Sequence, residues 1–266
     1  MKTQILQNLP ESCPWQDSVL YFESTDSTNT RAKELAAAGA PHGTVLIADH
    51  QTGGRGRLGR SFLSPAGTGV YLSVILRPHC PPAQLMHLTC AAAVALCDAV
   101  EDTAGIRPGI KWTNDLVYGG RKLAGILTEL RLTPEGLAEY AVVGAGINCC
   151  QQIEDFPGEL QAMAGSLSMA AERPIDRARV AAAMIRSLYE MDQKLLTEKE
   201  AIMDRYRRDC ITLGREVSLL KADGSVRYGT ALNVDDEGAL VVRFRDGNVE
   251  AVNSGEISIR GMYGYT

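Results

Sequence analysis

The chain is poor in the residues that usually announce a familiar chemistry. It has four histidines (His42, His50, His79 and His87), none at metal-ligand spacing from another, and no serine sits in a Gly-x-Ser-x-Gly elbow. Zinc and serine-hydrolase chemistry therefore have no footing, and no metal-ligand set is assigned. No Cys-x-x-Cys pair occurs among the seven cysteines (Cys13, Cys80, Cys90, Cys97, Cys149, Cys150 and Cys210), whose odd number and scatter suit a reducing compartment. The basic residues are outnumbered, 27 Lys and Arg against 32 Asp and Glu for a net charge of −5, so no general attraction to nucleic acid or anionic membranes is expected and any anion site must be local. No basic segment followed by an apolar core opens the chain, and no apolar run approaches the roughly 20 residues that span a bilayer. These absences lead to the expectation of a cytoplasmic chain without targeting signal, nucleic-acid partner or membrane partner. No low-complexity tract or internal repeat is visible.

What is present is an ordinary globular composition, 45% hydrophobic and 22% charged over 266 residues, long enough to bury roughly three quarters of its unfolded surface. Alternating and apolar runs predict strands over 18–22, 44–48, 69–76, 110–112, 116–118, 122–130 and 140–144, with Gly119-Gly120 as a hairpin turn. Helical spacing predicts helices over 31–38, 83–104, 176–196 and 198–210, with Gly39 as a stop and Asp176 as a cap. From Arg215 the pattern becomes short strands separated by Asp223-Gly224, Glu237-Gly238 and Asp246-Gly247, so a small all-β unit is expected beyond a boundary near Leu213-Gly214.

Four segments could carry chemistry. GGRGRLGR, Gly53 to Arg60, puts four glycines and three arginines in eight positions, which lets backbone approach an anion while guanidinium groups surround it; a solvated basic loop is the alternative. It is not a Walker loop, because no Gly-Lys-Ser/Thr closes it. Lys111-Trp112-Thr113-Asn114-Asp115 joins a lysine, an amide and a carboxylate at the mouth of the hairpin, where it could hold a nucleotide or merely form a turn. Lys122 stands in the apolar run RKLAGILTEL; strict alternation groups it with Ala124, Ile126 and Thr128, leaving Gly125 on the opposite face. It is either a strand-end lysine in water or a cation facing a developing charge. Val143 to Asn148 (VGAGIN) is either a ligand-facing strand end or a close-packed glycine corner, and its spacing fits no dinucleotide fingerprint. The pair Cys149-Cys150 has no assigned role.

Taken in order, Ser27-Thr28-Asn29, Gln51 with GRGRLGR, KWTND, KLAGIL, GAGIN and the terminal GEISIR resemble the motifs of the biotin protein ligases, from about Val19 to Arg260. The resemblance implies an α+β fold: a class II aminoacyl-tRNA-synthetase-like catalytic domain, a mixed sheet with helices, over 1–213, and a small SH3-like β-barrel over 214–266. The lead before Val19 is too short for that family's optional DNA-binding domain, so no repressor function is expected. The implied activity is adenylation of biotin by ATP with magnesium, then transfer to a lysine of a biotin carboxyl carrier protein domain, by a monomer or homodimer. The implied biotin contacts are Ser27, Thr28, Asn29, Gln51, Gly54, Arg55, Gly56, Arg57, Lys122, Gly125 and Gly144. Nucleotide contacts fall on Arg57, Arg60, Lys111, Trp112, Asn114, Asn148 and Arg260, and the catalytic roles on Lys122, Arg57 and Asp115. The chain departs from the family where GR-x-W becomes Gly59-Arg60-Ser61-Phe62, which leaves an aromatic without the indole N–H. The rivals are a lipoate or octanoate ligase, which shares the strand lysine, and a non-catalytic module that binds biotin or a nucleotide.

Overall fold

The computed structural model describes the backbone of residues 1–221, 225–253 and 257–261, and their side chains except at Lys221 and 257–261. The expected Asp223-Gly224 turn and the side chain of Arg260 lie outside the described residues. The larger sheet has seven strands: β1 (Val19–Thr25), β2 (Thr44–Gln51), β3 (Gly69–Leu76), β4 (Gly109–Lys111), β5 (Asp115–Tyr118), β6 (Arg121–Leu132) and β7 (Ala138–Asn148), in the order β1-β2-β3-β7-β6-β5-β4. β1 and β2 are parallel and the other pairs antiparallel. Of the helices, α1 (Lys2–Asn8), α2 (Thr28–Ala37), α3 (Leu88–Ala104), α4 (Leu167–Ala171), α5 (Arg177–Lys194) and α6 (Lys199–Asp209), α5 begins at Asp176, whose carboxylate accepts from the backbone of Ala178 and Arg179.

Period-two patterning assigns the two faces of this sheet. Val45, Ile47, Val70, Leu72, Val74, Ala124, Ile126, Val143 and Ile147 face the main core with α3, α5 and α6. Leu46, Ile75, Tyr140 and Val142 face the other way and meet Ala32 and Ala36 of α2. α2 covers only one end of that second face. The remainder is left open, floored by glycine, and forms the functional cavity.

Three local differences from the sequence expectations have physical causes. The helix expected from Ala83 starts at Leu88, behind a separate 3-10 turn at Pro82–Leu85 that the two prolines lead into, their fixed φ suiting a first turn. α2 begins at Thr28 rather than Arg31, so Thr28 and Asn29 are its first turn. The polar lead contains α1, whose Ile5, together with Leu9, Cys13 and Trp15, is buried in the main core. The expectation that no run approaches membrane-spanning length is corrected here: by length and composition Pro82–Ala104 is apolar enough to cross a membrane, and most of it is buried inside this fold.

The second sheet, β8 (Glu216–Lys221), β9 (Val226–Val234), β10 (Leu240–Phe244), β11 (Val249–Val252) and β12 (Ile257–Gly261), is antiparallel in the order β11-β10-β9-β8-β12, as the turn spacing leads one to expect. It is fastened to the larger unit at the β9–β10 turn. There the Trp112 indole donates to the Gly238 carbonyl at 3.0 Å and Arg207 Nε donates to the Val234 carbonyl at 2.7 Å. Ion pairs Arg207–Asp236 and Lys199–Glu237 flank these bonds.

Candidate active site

A cavity of about 570 Å³ opens on the glycine-floored face, within the usual range for small-molecule sites. Its walls bring together sixteen residues expected from the sequence: Ser27, Thr28, Asn29, Gln51, Arg55, Gly56, Arg57, Arg60, Lys111, Trp112, Asn114, Asp115, Lys122, Gly125, Gly144 and Asn148. Gly54 does not line it. A Cβ there would lie 2.3 Å from the Phe62 carbonyl, and its own carbonyl accepts from Phe62 N at 2.9 Å, so this glycine closes the neck of the loop.

At one end the wall is made chiefly of neutral polar side chains bonded to one another. Gln51 Oε1 accepts from the Thr28 amide at 2.8 Å, supplying an acceptor to the first turn of α2, and its Nε2 donates to Ser64 Oγ at 2.9 Å. Ser73, fully buried on β3, contacts Thr28 Oγ1 at 2.8 Å and Asn29 Oδ1 at 2.7 Å. The amide nitrogen of Asn29 donates to the Leu127 carbonyl at 3.2 Å and to Glu129 Oε2 at 3.0 Å. Asn29 fits because Gly144 is beneath it: a Cβ at Gly144 would stand 1.8 Å from Asn29 Oδ1.

The opposite end is charged. Lys122 Nζ pairs with Asp115 Oδ1 at 2.7 Å, and Arg57 donates to Asn114 Oδ1 at 2.9 Å while Asn114 Nδ2 donates to the Ile126 carbonyl. Burial pulls the Arg57 guanidinium below its ordinary pKa, and the negative charge of Asp115 opposes that shift. The other loop arginine, Arg55, reaches the first end instead, where it is tied at 3.1 Å to Glu129, the carboxylate that accepts from Asn29. Trp112 is held by its backbone N–H to Thr212 Oγ1 and by its indole to Gly238, while Tyr206 OH donates to the Thr113 carbonyl. Asn148 Nδ2 donates to the Gly165 carbonyl at 2.9 Å.

Lys122 reaches this cavity against strict alternation. Leu116 pairs with Ala124 but Val117 pairs with Lys122, so β6 carries an extra residue at Leu123. That bulge returns Leu123 and Ala124 to the core and turns Lys122 to the face of Gly125. The expected grouping of Lys122 with Ala124 and Ile126 is thereby corrected.

Phe62 was singled out as a departure, and the structure gives it a defined seat. Its ring lies over the Cα positions of Gly125 and Gly146, where added Cβ atoms would come within 3.2 and 2.5 Å of it. Lys122 Nζ stands 5.8 Å from the ring centroid, and Tyr71 meets the ring edge-on at 6.4 Å. Sequence reasoning passed over Ser73, concealed in an apolar strand, and Phe156, Leu160 and Met163, whose loop carries no motif and supplies an apolar wall. No group of three or more His, Cys, Asp or Glu suited to a metal occurs among the described residues, and Asp115, the carboxylate in the wall, is already paired with Lys122.

Comparison with known proteins accords with this geometry. The Biotin/lipoate A/B protein ligase family matches residues 21–148, and the Biotin protein ligase C terminal domain matches residues 212–260. The bifunctional ligase/repressor BirA of Bacillus subtilis is 38% identical over 242 residues, 91% of this chain and 74% of that protein. The biotin–[acetyl-CoA-carboxylase] ligase of Mycobacterium tuberculosis is 34% identical, over 88% of this chain and 85% of the relative. Among solved structures, the biotin protein ligase of Aquifex aeolicus in complex with biotin and ATP superposes with a TM-score of 0.77 at 29% identity, covering 92% of this chain and 99% of that one. With five of its motifs, from Ser27-Thr28-Asn29 to GAGIN, gathered around one cavity and both family domains matched in order, the chain belongs to the biotin protein ligase family.

Proposed function

We propose that biotin lies with its ureido ring against Ser27, Thr28, Asn29 and Gln51 and its carboxylate toward Arg57 and Lys122, with the nucleotide beyond, against Lys111, Trp112, Asn114 and Asn148. In this reading the protein activates biotin with ATP to biotinyl-5'-AMP, releasing pyrophosphate, and passes the biotinyl group to a lysine of a biotin carboxyl carrier protein, releasing AMP. The observation that carries it is the polarity of the cavity: neutral acceptors at one end, and Arg57 with the Lys122–Asp115 pair at the other.

The chemistry follows from that polarity. In the first step a carboxylate oxygen attacks the α-phosphorus and the bond to the pyrophosphate oxygen breaks. Two anions must meet, and Arg57 and Lys122 offset their repulsion as charge accumulates. Lys122 is held at 2.7 Å by Asp115, which keeps the ammonium aimed until phosphate competes for it. Magnesium accompanies ATP on its phosphate oxygens; the donor set around the cavity does not form a cage for it, and no step is assigned to it.

In the second step the acceptor amine attacks the acyl carbon and the bond to the AMP oxygen breaks. The amine must arrive neutral although its free pKa is about 10.4, and Asp115 is placed to receive its proton. The loop arginines Arg55 and Arg57 shield the mixed anhydride from water during the interval. An ATP–pyrophosphate exchange assay tests the first step: exchange that depends on biotin supports the reading, and exchange indifferent to biotin contradicts it.

A further inference from the structure

Asn29 is fixed in one of its two amide orientations, and the residue chiefly responsible, Glu129, lies outside the cavity wall. Both Asn29 amide hydrogens are engaged, one by the Leu127 carbonyl at 3.2 Å and one by Glu129 Oε2 at 3.0 Å. Turning the amide over would set its oxygen against a carbonyl and a carboxylate, two acceptors, with no hydrogen between them. On the other side Ser73 Oγ lies 2.7 Å from Asn29 Oδ1 and 2.8 Å from Thr28 Oγ1; with the Thr28 hydroxyl donating to Ser73, the single Ser73 proton goes to the Asn29 oxygen. The oxygen of Asn29 is thus presented over Gly144, with a lone pair left for a ligand N–H and no hydrogen to offer a ligand acceptor.

Glu129 is itself held in place. Lys33, one turn along α2 from Asn29, contacts Oε1 at 2.7 Å, and Arg55 contacts both carboxylate oxygens at 3.1 Å. These cations keep the carboxylate ionised, so it stays an acceptor toward Asn29.

We propose that Glu129, with Ser73, is a specificity-determining pair that fixes Asn29 as a hydrogen-bond acceptor and thereby selects a cyclic urea, which brings N–H donors, over acyl chains such as octanoate, which bring none at that position. The inference rests on the placement of the ureido ring proposed above. It assigns Glu129 a positioning role, acting through Asn29. A site that orients a buried polar group for one ligand discriminates strongly against a ligand that leaves the group unpaired.

The test is pyrophosphate release with biotin and octanoate offered separately to the full chain and to Glu129→Gln, Ser73→Ala, Glu129→Asp and Lys33→Met. A glutamine amide can both donate and accept, so Asn29 is no longer confined to one orientation. The expected result is a fall of about tenfold in kcat/KM for biotin in Glu129→Gln, carried by KM, with the octanoate value unchanged. Ser73→Ala should move the same ratio in the same direction, Glu129→Asp should restore part of it, and Lys33→Met, which removes one of the cations that hold the Glu129 carboxylate, should lower it by less than Glu129→Gln does. Equal losses on both substrates, or an unchanged biotin-to-octanoate ratio in both Glu129→Gln and Ser73→Ala, overturns the proposal. Should the parent protein itself release no pyrophosphate with biotin, the placement of biotin fails first, an outcome separate from an active parent whose ratio does not respond.

Discussion

Gly144→Ala should cripple the biotin end of the cavity while Gly158→Ala, the same chemical change, should be silent. An alanine Cβ at position 144 would fall 1.8 Å from Asn29 Oδ1 and 2.7 Å from its Cγ, distances at which both cannot coexist. Asn29 must swing away, and its contacts with Ser73, Leu127 and Glu129 go with it. At about 1 kcal/mol for each neutral hydrogen bond and somewhat more for the one to a carboxylate, partly recovered by rearrangement, the loss is about 2 kcal/mol. For a chain of this size that corresponds to a fall in Tm of roughly 4–8 °C, readable by differential scanning fluorimetry. The displaced side chain also takes an acceptor from the ligand, so KM for biotin should rise by about tenfold or more in pyrophosphate release, at unchanged KM for ATP. Gly158 has no atom within 4 Å of an added Cβ, so its variant should stay within about 0.5 kcal/mol and retain the parent KM. A Gly144→Ala protein with normal biotin KM would refute the placement of Asn29 over Gly144, and equal effects of both substitutions would refute the reasoning from close approach.

Other consequences can be checked with the same protein. Lys122→Gln removes the cation aimed at the reacting carboxyl and phosphate, and should lower the adenylation rate about 10²- to 10³-fold in single-turnover measurements, with biotin still bound. Asp115→Asn should slow transfer from preformed biotinyl-5'-AMP to the acceptor lysine, most strongly near neutral pH where the amine needs a proton acceptor; transfer at the parent rate would remove that role. Arg57→Gly breaks the 2.9 Å tie to Asn114 and opens the loop, so biotinyl-5'-AMP should escape into solution, seen by chromatography as adenylate without acceptor; an unchanged lifetime on the enzyme counts against it. Asp209 is buried, which alone would raise its pKa, but hydrogen bonds and charge from Arg107 and Arg208 bring it below the ordinary value. A depressed carboxylate pKa contributes stability that is present above the unfolded value near 3.9 and is lost as pH falls through the folded value. Denaturation midpoints should therefore fall as pH drops below about 4 in the parent, and less steeply in Asp209→Asn.

The residues legible in the sequence were those whose chemistry is local. Glycine-arginine alternation in Gly53 to Arg60, the polar cluster of KWTND and the apolar flanks of Lys122 each announce themselves, while VGAGIN could be read either as a ligand-facing strand end or as a close-packed glycine corner. What escaped depends on register or on partners far along the chain. Lys122 faces the cavity because of a bulge at Leu123, and no alternation rule contains a bulge. Ser73 reads as one polar residue inside the apolar strand GVYLSVIL; its importance comes from Asn29, 44 positions away in sequence. Trp112 looks like a ligand-facing aromatic, yet its indole is spent on the Gly238 carbonyl 126 positions on, where the second sheet docks. Phe62 in place of tryptophan was a question of packing, answered only when Gly125 and Gly146 were seen beneath the ring.

The most direct test of the account is to incubate the full chain with ATP, magnesium, a biotin carboxyl carrier domain and one acid at a time, biotin, lipoate or octanoate, then to quantify pyrophosphate and weigh the carrier by mass spectrometry. The account requires pyrophosphate release with biotin and one biotinyl group on the acceptor lysine. Release with lipoate or octanoate alone, or a carrier of unchanged mass beside active ATP turnover, would contradict it.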